Sequence, residues 1–293
     1  MGARKVEWPH RRPRTQNTGG GNVFGKRPSR QDEALLDRVR EATVHLHEFL
    51  FELTEDYVRL DPGGRVLDVD DSAQAQESIE RIAAVWRNAE LANATDPGIE
   101  QELGSKRVND LICAIEDSLV LALSPDAGMR AVAMSADEVI ARMHEIVQEA
   151  DEVPHLRSSR HGLSEHELQH GGDAMVETFD RLTHQVAAML EAASDFFIEL
   201  GSDTDQARLS QAPDLVERLA IVAREVDVEH RVVASLIDRR DLAAAIRLLR
   251  SMQQGLILRR SSDPNRRALA IPVDELAGRT QPVVERWQEQ SPA

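Results

Sequence analysis

The chain has 293 residues, of which 41% are hydrophobic and 29% charged, with a formal net charge of −16 at pH 7. This composition is typical of a soluble globular protein with a sizeable core. Aromatic residues make up only 3%, so we expect a core of Leu, Val, Ile, Ala and Met, which favours helices over strands. The single cysteine, Cys113, excludes an intrachain disulfide and favours a reducing compartment.

No stretch of the sequence is apolar for long enough to span a membrane. The most apolar window, residues 111–123, is interrupted by Glu116 and Asp117. The pair Arg11-Arg12 is not followed by the apolar region that a twin-arginine export signal needs. The sequence therefore predicts a cytoplasmic protein that does not contact a membrane.

Residues 1–30 are predicted to form an extended or disordered basic arm. Residues 1–31 contain eight Lys and Arg against one acidic residue, Glu7, and few apolar side chains that could form a core. We expect the arm to bind a partner through its basic residues and two aromatic anchors, namely Arg4, Lys5, Trp8, Arg11, Arg12, Arg14, Phe24, Lys26, Arg27 and Arg30.

The first long helix is predicted over about residues 31–60, where apolar side chains recur in a heptad pattern. The spacings alternate between three and four residues along Leu36, Val39, Thr43, Leu46, Leu50, Leu53, Tyr57 and Leu60. The run Asp61-Pro62-Gly63-Gly64 is expected to end this helix.

Three shorter helices complete an acidic helical subdomain over residues 31–152. They are predicted at about 72–94, 99–123 and 135–152, with Ser72 and Ser135 as N-caps. Cys113 lies on the apolar face of the second of these helices, so we expect its thiol to be buried and inert.

Residues 153–172 are predicted to form a polar connector, which contains the sequence His166-Glu167-Leu168-Gln169-His170. Two histidines four residues apart on a helix can share a zinc ion, and the glutamate between them can deprotonate zinc-bound water. In these five residues the chain resembles the zincin metallopeptidases. The resemblance implies a zinc hydrolase with Glu167 as the base and with His166, His170 and a third residue as ligands. Glu177 and Glu191 are the downstream candidates for the third ligand, with His155 and His161 as upstream substitutes.

Other features of the connector favour a structural role for the same residues. Ser164 and Glu167 have the spacing of a capping box, and Gly171-Gly172 is expected to end the helix one turn after His170. No alternating pattern predicts the β-sheet that zincins place beside their active site. Zinc therefore belongs to the alternative interpretation alone, and no other cofactor is expected.

A second helical subdomain is predicted over residues 173–293. Its first helix shows a second heptad pattern, along Met175, Phe179, Leu182, Val186, Met189, Ala193, Phe196 and Leu200. Further helices are predicted at about 214–238, 241–260 and 273–289. Residues 239–267 are basic, with eight arginines: Arg239, Arg240, Arg247, Arg250, Arg259, Arg260, Arg266 and Arg267. Nucleic acid is one partner for this stretch, and the acidic region 32–156 of the chain itself is the other.

These patterns predict an all-α fold, a multi-helix bundle with long heptad-patterned helices and an extended N-terminal arm. The heptad faces are expected to pack within the chain or between copies of it. We expect a non-enzymatic interaction or assembly protein that docks its basic arm on an acidic surface of a protein partner or a second copy, or on nucleic acid. A zinc-dependent hydrolase and a nucleic-acid-binding module are the alternatives.

Overall fold

The computed structural model describes residues 30–63, 65–95, 106–152, 165–200, 209–233 and 240–290. These residues form ten helices and no strand, which confirms the predicted all-α fold. The helices in chain order are α1 (Arg30–Leu60), α2 (Val69–Thr95), α3 (Lys106–Ala122), α4 (Ala127–Arg130), α5 (Ala136–Glu152), α6 (Glu165–Leu200), α7 (Ala212–Val233), α8 (Arg240–Arg260), α9 (Pro264–Ala268) and α10 (Val273–Gln290). Within the described ranges, no helix combines the length and apolarity that a bilayer span requires.

Two short helices, α4 and α9, were not predicted from the sequence. Each begins after an aspartate whose carboxylate accepts a hydrogen bond from a backbone N–H two residues later: Asp126 binds Gly128, and Asp263 binds Asn265. These helices have four and five residues. Such a length is too short for a periodic apolar pattern, so only the capping residue marks them in the sequence.

Helix α6 begins earlier than predicted and continues through Gly171-Gly172. The expectation that the two glycines end this helix is therefore wrong. Glycine keeps its backbone N–H and C=O and can extend the hydrogen-bond ladder, although it is less favourable in a helix than alanine by about 1 kcal/mol. Residues 165–172 of the predicted connector thus belong to α6, and residues 153–164 lie outside the described ranges.

Helices α3 and α8 occupy the centre of the bundle. Helix α3 packs against α1, α2, α5 and α7, and every residue from 111 to 122 is buried. Helix α8 packs against α2, α6, α7 and α10, and every residue from 251 to 258 is buried. Since α2 and α7 contact both central helices, side chains from both predicted subdomains contribute to one continuous apolar core.

The predicted heptad positions are buried within the chain in α6 and in the second half of α1. The buried residues at these positions are Leu50, Leu53, Tyr57, Leu60, Phe179, Leu182, Val186, Met189, Ala193 and Leu200. Burial of one Leu, Val or Phe side chain contributes about 1.5–3 kcal/mol, so these faces hold the two long helices on the bundle. Phe197 is buried more deeply than the predicted Phe196.

The first half of α1 differs from the second half in its packing. None of the described side chains between residues 34 and 49 is buried, although Leu46 and Phe49 pack partly against the core. The apolar spacing of the sequence nevertheless continues through this half. Val44 in this half is 49% exposed, so the described part of the chain covers the apolar side chains here only in part.

The peptide of Met134 connects α1, α3 and the start of α5. The hydroxyl of Tyr57 donates a hydrogen bond of 2.6 Å to the carbonyl oxygen of Met134, and the N–H of Met134 donates one of 3.1 Å to Ser118 Oγ. Both backbone groups of this buried residue are thereby satisfied. The contact fixes where α5 begins relative to the two helices.

Candidate functional site

The backbone of α6 carries all four residues of the predicted zinc site, His166, Glu167, His170 and Glu177. The side chains of the first three lie outside the described part of the chain, and that of Glu177 is exposed. Glu177 was expected on a separate helix, but on a continuous helix it lies seven residues, or about 10 Å along the axis, beyond His170. Zinc lies only about 2 Å from its ligand atoms. Side chains that share one ion would have to converge over this distance. Because the side chains of His166 and His170 lie outside the described part of the chain, the assignment of Glu177 as the third ligand stays a prediction.

The described residues supply no other metal site. Among them, no group of three or more His, Cys, Asp or Glu side chains has an arrangement that could hold a metal ion. Cys113 is buried as predicted, and burial raises the pKa of its thiol far above the usual range. A thiol in this environment stays protonated and is a poor ligand and nucleophile.

The predicted partner-binding residues of the arm lie outside the described ranges, apart from the backbone of Arg30, which begins α1. The residues concerned are Arg4, Lys5, Trp8, Arg11, Arg12, Arg14, Phe24, Lys26 and Arg27. Their role in binding stays a prediction.

The basic stretch 239–267 contacts the acidic region of the chain itself. Arg250 donates hydrogen bonds of 2.5 Å to both carboxylate oxygens of Asp117. Arg266 forms hydrogen bonds of 3.0 Å with Glu77 and 2.9 Å with Glu80. These carboxylates lie on α2 and α3, within the acidic segment that the sequence offered as the alternative partner.

Two more arginines of this stretch bind backbone carbonyl groups. Arg259 donates to the carbonyl of Ile271 at 3.1 Å and stacks over the ring of Phe197. Arg267 donates to the carbonyls of Ser261 and Ser262 at 2.7 and 2.8 Å. Guanidinium groups that are engaged in this way hold the bundle together, and the stretch consequently offers fewer free cations for nucleic acid.

Two fully buried carboxylates of α3, Glu116 and Asp117, lie at the polar contact that Arg250 of α8 makes with this helix, and both side chains are 0% exposed. Asp117 is well satisfied, since it accepts two hydrogen bonds from Arg250 and one of 3.0 Å from Gln253. Glu116 is not: its nearer oxygen is 3.9 Å from Arg250, and neither oxygen has a hydrogen-bond partner. The amide nitrogen of the neighbouring Gln254 also has none.

The two buried carboxyl groups differ in which protonation state their surroundings favour. Burial raises the pKa of Glu116 to about 8; Arg250 opposes the shift, and the charge of Asp117 adds to it. Gln254 also opposes the shift, but it forms no hydrogen bond of acceptable geometry with Glu116. Burial raises the pKa of Asp117 as well, while the attraction and hydrogen bonds of Arg250 favour its charged form. We therefore place the negative charge on Asp117 and a proton on Glu116.

The sequence contains a signal for this cluster. Glu116 and Asp117 interrupt an apolar window, and two acidic residues on the buried face of a helix require a basic partner. That partner, Arg250, lies 133 residues further along the chain. The pairing could not be assigned without knowing which helices are neighbours.

Other ionic networks join helices at the edge of the core. Between α5 and α7, the buried guanidinium groups of Arg142 and Arg224 contact both Glu138 and Asp227 at 2.8–3.0 Å. A second network joins α2 to α10 through Arg87, Glu90, Glu275 and Arg279. The side chains of Arg87, Arg142 and Arg224 are less than 10% exposed, and a buried guanidinium that loses its carboxylate partner is destabilising, so these networks fix helix positions.

Residues 41–71, which we call the acidic surface, form a strongly acidic part of the described surface. It contains nine acidic side chains and two arginines, Arg59 and Arg65. The exposed carboxylates are Glu41, Glu48, Glu52, Glu55, Asp61, Asp68 and Asp70. A third arginine, Arg81 of α2, pairs with Glu52 at 2.9 Å. The surface therefore keeps a large excess of negative charge.

Two apolar side chains are exposed beside these carboxylates. Val66 and Val69 are 73% and 85% exposed and lie in or next to the connection between α1 and α2. Single exposed apolar residues are common, but here they are interspersed with Asp68 and Asp70. A basic segment with an aromatic side chain would match both features.

No protein-family model, no curated protein and no solved structure matches the chain.

Proposed function

We propose that the protein is a non-enzymatic assembly protein, in which the basic N-terminal arm of one copy binds the acidic surface of a second copy. The observation that carries the proposal is the acidic surface itself, where nine carboxylates are accompanied by three arginines. Complementary charge accelerates association and selects the partner surface.

The charges of the two segments match in size. Residues 1–31 carry eight basic side chains and one acidic one, whereas residues 41–71 carry nine acidic and two basic ones. The arm also contains Trp8 and Phe24, and the acidic surface includes the exposed Val66 and Val69. Burial of an aromatic side chain against these valines would add an apolar contribution that salt does not screen.

The packing of α1 favours a second copy over the chain's own arm. An extended arm of 29 residues spans at most about 100 Å and α1 about 46 Å, so length permits either arrangement. However, none of the described side chains of α1 between residues 34 and 49 is buried, although the apolar spacing continues there. A second copy can cover this part of α1 as well as the carboxylates.

Sedimentation of the full chain and of a chain lacking residues 2–29 tests the proposal. At about 0.05 M salt we expect the full chain to form a concentration-dependent oligomer and the truncated chain to be a monomer with unchanged helicity. At about 0.5 M salt the oligomer should dissociate, because the Debye length falls below the separation of most surface charges. The same oligomeric state for the full and the truncated chain at low salt would contradict the role of the arm.

A charge exchange on the acidic surface provides the matched control. Glu41 and Glu48 are exposed on one stripe of α1, and the double variant Glu41→Lys, Glu48→Lys should weaken assembly at least about tenfold. The variant Glu191→Lys, Asp195→Lys makes the same change in net charge on the exposed side of α6. It should assemble like the native chain, and an equal loss in both variants would show that net charge alone controls association.

A further inference from the structure

We propose that Glu116 is a proton-operated lock between α3 and α8, which carries a proton in the folded bundle and loosens the contact between the two helices when it ionises. This device is independent of the arm and of the acidic surface. It concerns the centre of the molecule, where Glu116 and Asp117 share one arginine.

The geometry shows why the proton belongs to Glu116. The guanidinium of Arg250 is aligned with Asp117, to which it donates two parallel hydrogen bonds. Its remaining attraction to Glu116 acts over 3.9 Å without a hydrogen bond. A charged carboxylate with no hydrogen-bond donor is strongly unfavourable at a fully buried position, whereas a protonated one is tolerated.

The neighbouring helices supply no better cation to Glu116. On α3 itself the nearby titratable groups are Asp117 and Cys113, whose thiol stays neutral, and on α8 the charged neighbour is Arg250. From α1, Tyr57 also stays neutral, because burial raises its pKa above the usual range.

The charged groups of the other helices that pack against α3 are bound to one another. On α2, Glu80 is bound by Arg266 and Arg87 by Glu275. On α5 and α7, Glu138, Arg142, Arg224 and Asp227 form the network described above. Ionised Glu116 could gain a hydrogen bond from the unpaired amide of Gln254, but it could gain a cationic partner among these groups only by drawing Arg250 from Asp117. This movement would loosen the polar contact between α3 and α8.

Ionisation of Glu116 lowers the stability of the folded state. In the unfolded chain Glu116 has its ordinary pKa near 4.5, and in the folded chain the pKa is about 8, so the folded state binds the proton more tightly. The contribution of Glu116 to stability is therefore fully present below about pH 4.5 and is lost as pH rises to about 8. One linked proton raises the unfolding equilibrium constant by up to about tenfold per pH unit in this window.

Urea unfolding of the native chain and of Glu116→Gln between about pH 5 and pH 9 tests the lock. The glutamine variant cannot ionise, so the native chain should lose stability relative to it by up to about tenfold per pH unit and level off above about pH 8. Glu55→Gln makes the same chemical change on an exposed residue of α1 and should parallel the native chain. Parallel curves for the native chain and Glu116→Gln would overturn the proposal.

Carboxyl ¹³C NMR measures the same proton directly, without unfolding. The resonance that disappears in Glu116→Gln should titrate near pH 8, and titration near pH 4.5 would contradict the proposal. The variant Asp117→Asn frees Arg250 for Glu116, so the midpoint of Glu116 should fall by at least about one pH unit. If that variant does not fold, the native titration and the comparison with Glu116→Gln still decide the outcome.

Discussion

Gly255 shows how tightly α8 is packed. A Cβ atom added to it would lie 2.7 Å from Cγ2 of Ile271, a side chain that is 1% exposed, and 3.7 Å from the ring of Phe197. Gly278 also lies inside a helix, α10, but a Cβ added there meets no atom within 4 Å. Of these two glycines, Gly255 alone lacks the space for a side chain.

Substitution of these glycines by alanine should change stability in opposite directions. Gly278→Ala should stabilise the protein by about 0.5–1 kcal/mol, because alanine favours an exposed helix. Gly255→Ala should destabilise it by about 1–3 kcal/mol, because the added methyl overpacks the site next to Ile271. Urea unfolding measures both variants, and stabilisation by Gly255→Ala would contradict the close packing of α8.

The sequence predicted which residues are buried better than it predicted which residues they contact. The apolar spacing correctly selected Leu50, Tyr57 and Leu182 as core residues, since periodicity reports which face of a helix is apolar. It could not indicate that Tyr57 binds Met134 or that Arg250 binds Asp117, because these pairs lie 77 and 133 residues apart. Partners at such a separation depend on tertiary packing.

Local sequence signals predicted several of the helix ends correctly. Ser135 caps α5 as predicted, since its Oγ accepts a hydrogen bond from the N–H of Glu138 at 3.2 Å. Helix α1 ends at Leu60, and Asp61 has a positive φ of 39°, as is common after a helix. The prediction failed at Gly171-Gly172, where the helix continues.

The N-cap of α2 is Asp68, not the predicted Ser72. Oδ1 of Asp68 accepts a hydrogen bond of 2.8 Å from the N–H of Asp71, and the N–H of Ser72 donates to the carbonyl oxygen of Asp68. Both residue types are good caps, and the sequence offers them four positions apart. The helix begins at the earlier one, which adds a turn to α2.

Alanine variants distinguish the two positions. Asp68→Ala should destabilise the protein by about 0.5–2 kcal/mol, because it removes the acceptor for the free N–H of the first turn. Ser72→Ala, inside the helix, should change stability by less than about 0.5 kcal/mol. Thermal unfolding followed by circular dichroism gives both values, and a larger effect at Ser72 would restore the original assignment.

The distribution of charge organises the whole molecule. The sequence predicted a basic arm, an acidic region and a second basic stretch, but it left open whether that stretch binds nucleic acid or the chain itself. Arg250 and Arg266 bind carboxylates of α2 and α3, so much of this stretch stabilises the bundle. The acidic surface retains its excess charge, which makes the basic arm the complementary segment in our proposal.

A mixing experiment tests most directly whether one copy supplies the arm and the other supplies the acidic surface. A chain lacking residues 2–29 keeps the surface, and the variant Glu41→Lys, Glu48→Lys keeps the arm. We expect each to sediment as a monomer alone at about 0.05 M salt and the equimolar mixture to form a complex. A mixture that remains monomeric, while the native chain assembles under the same conditions, would contradict the claim.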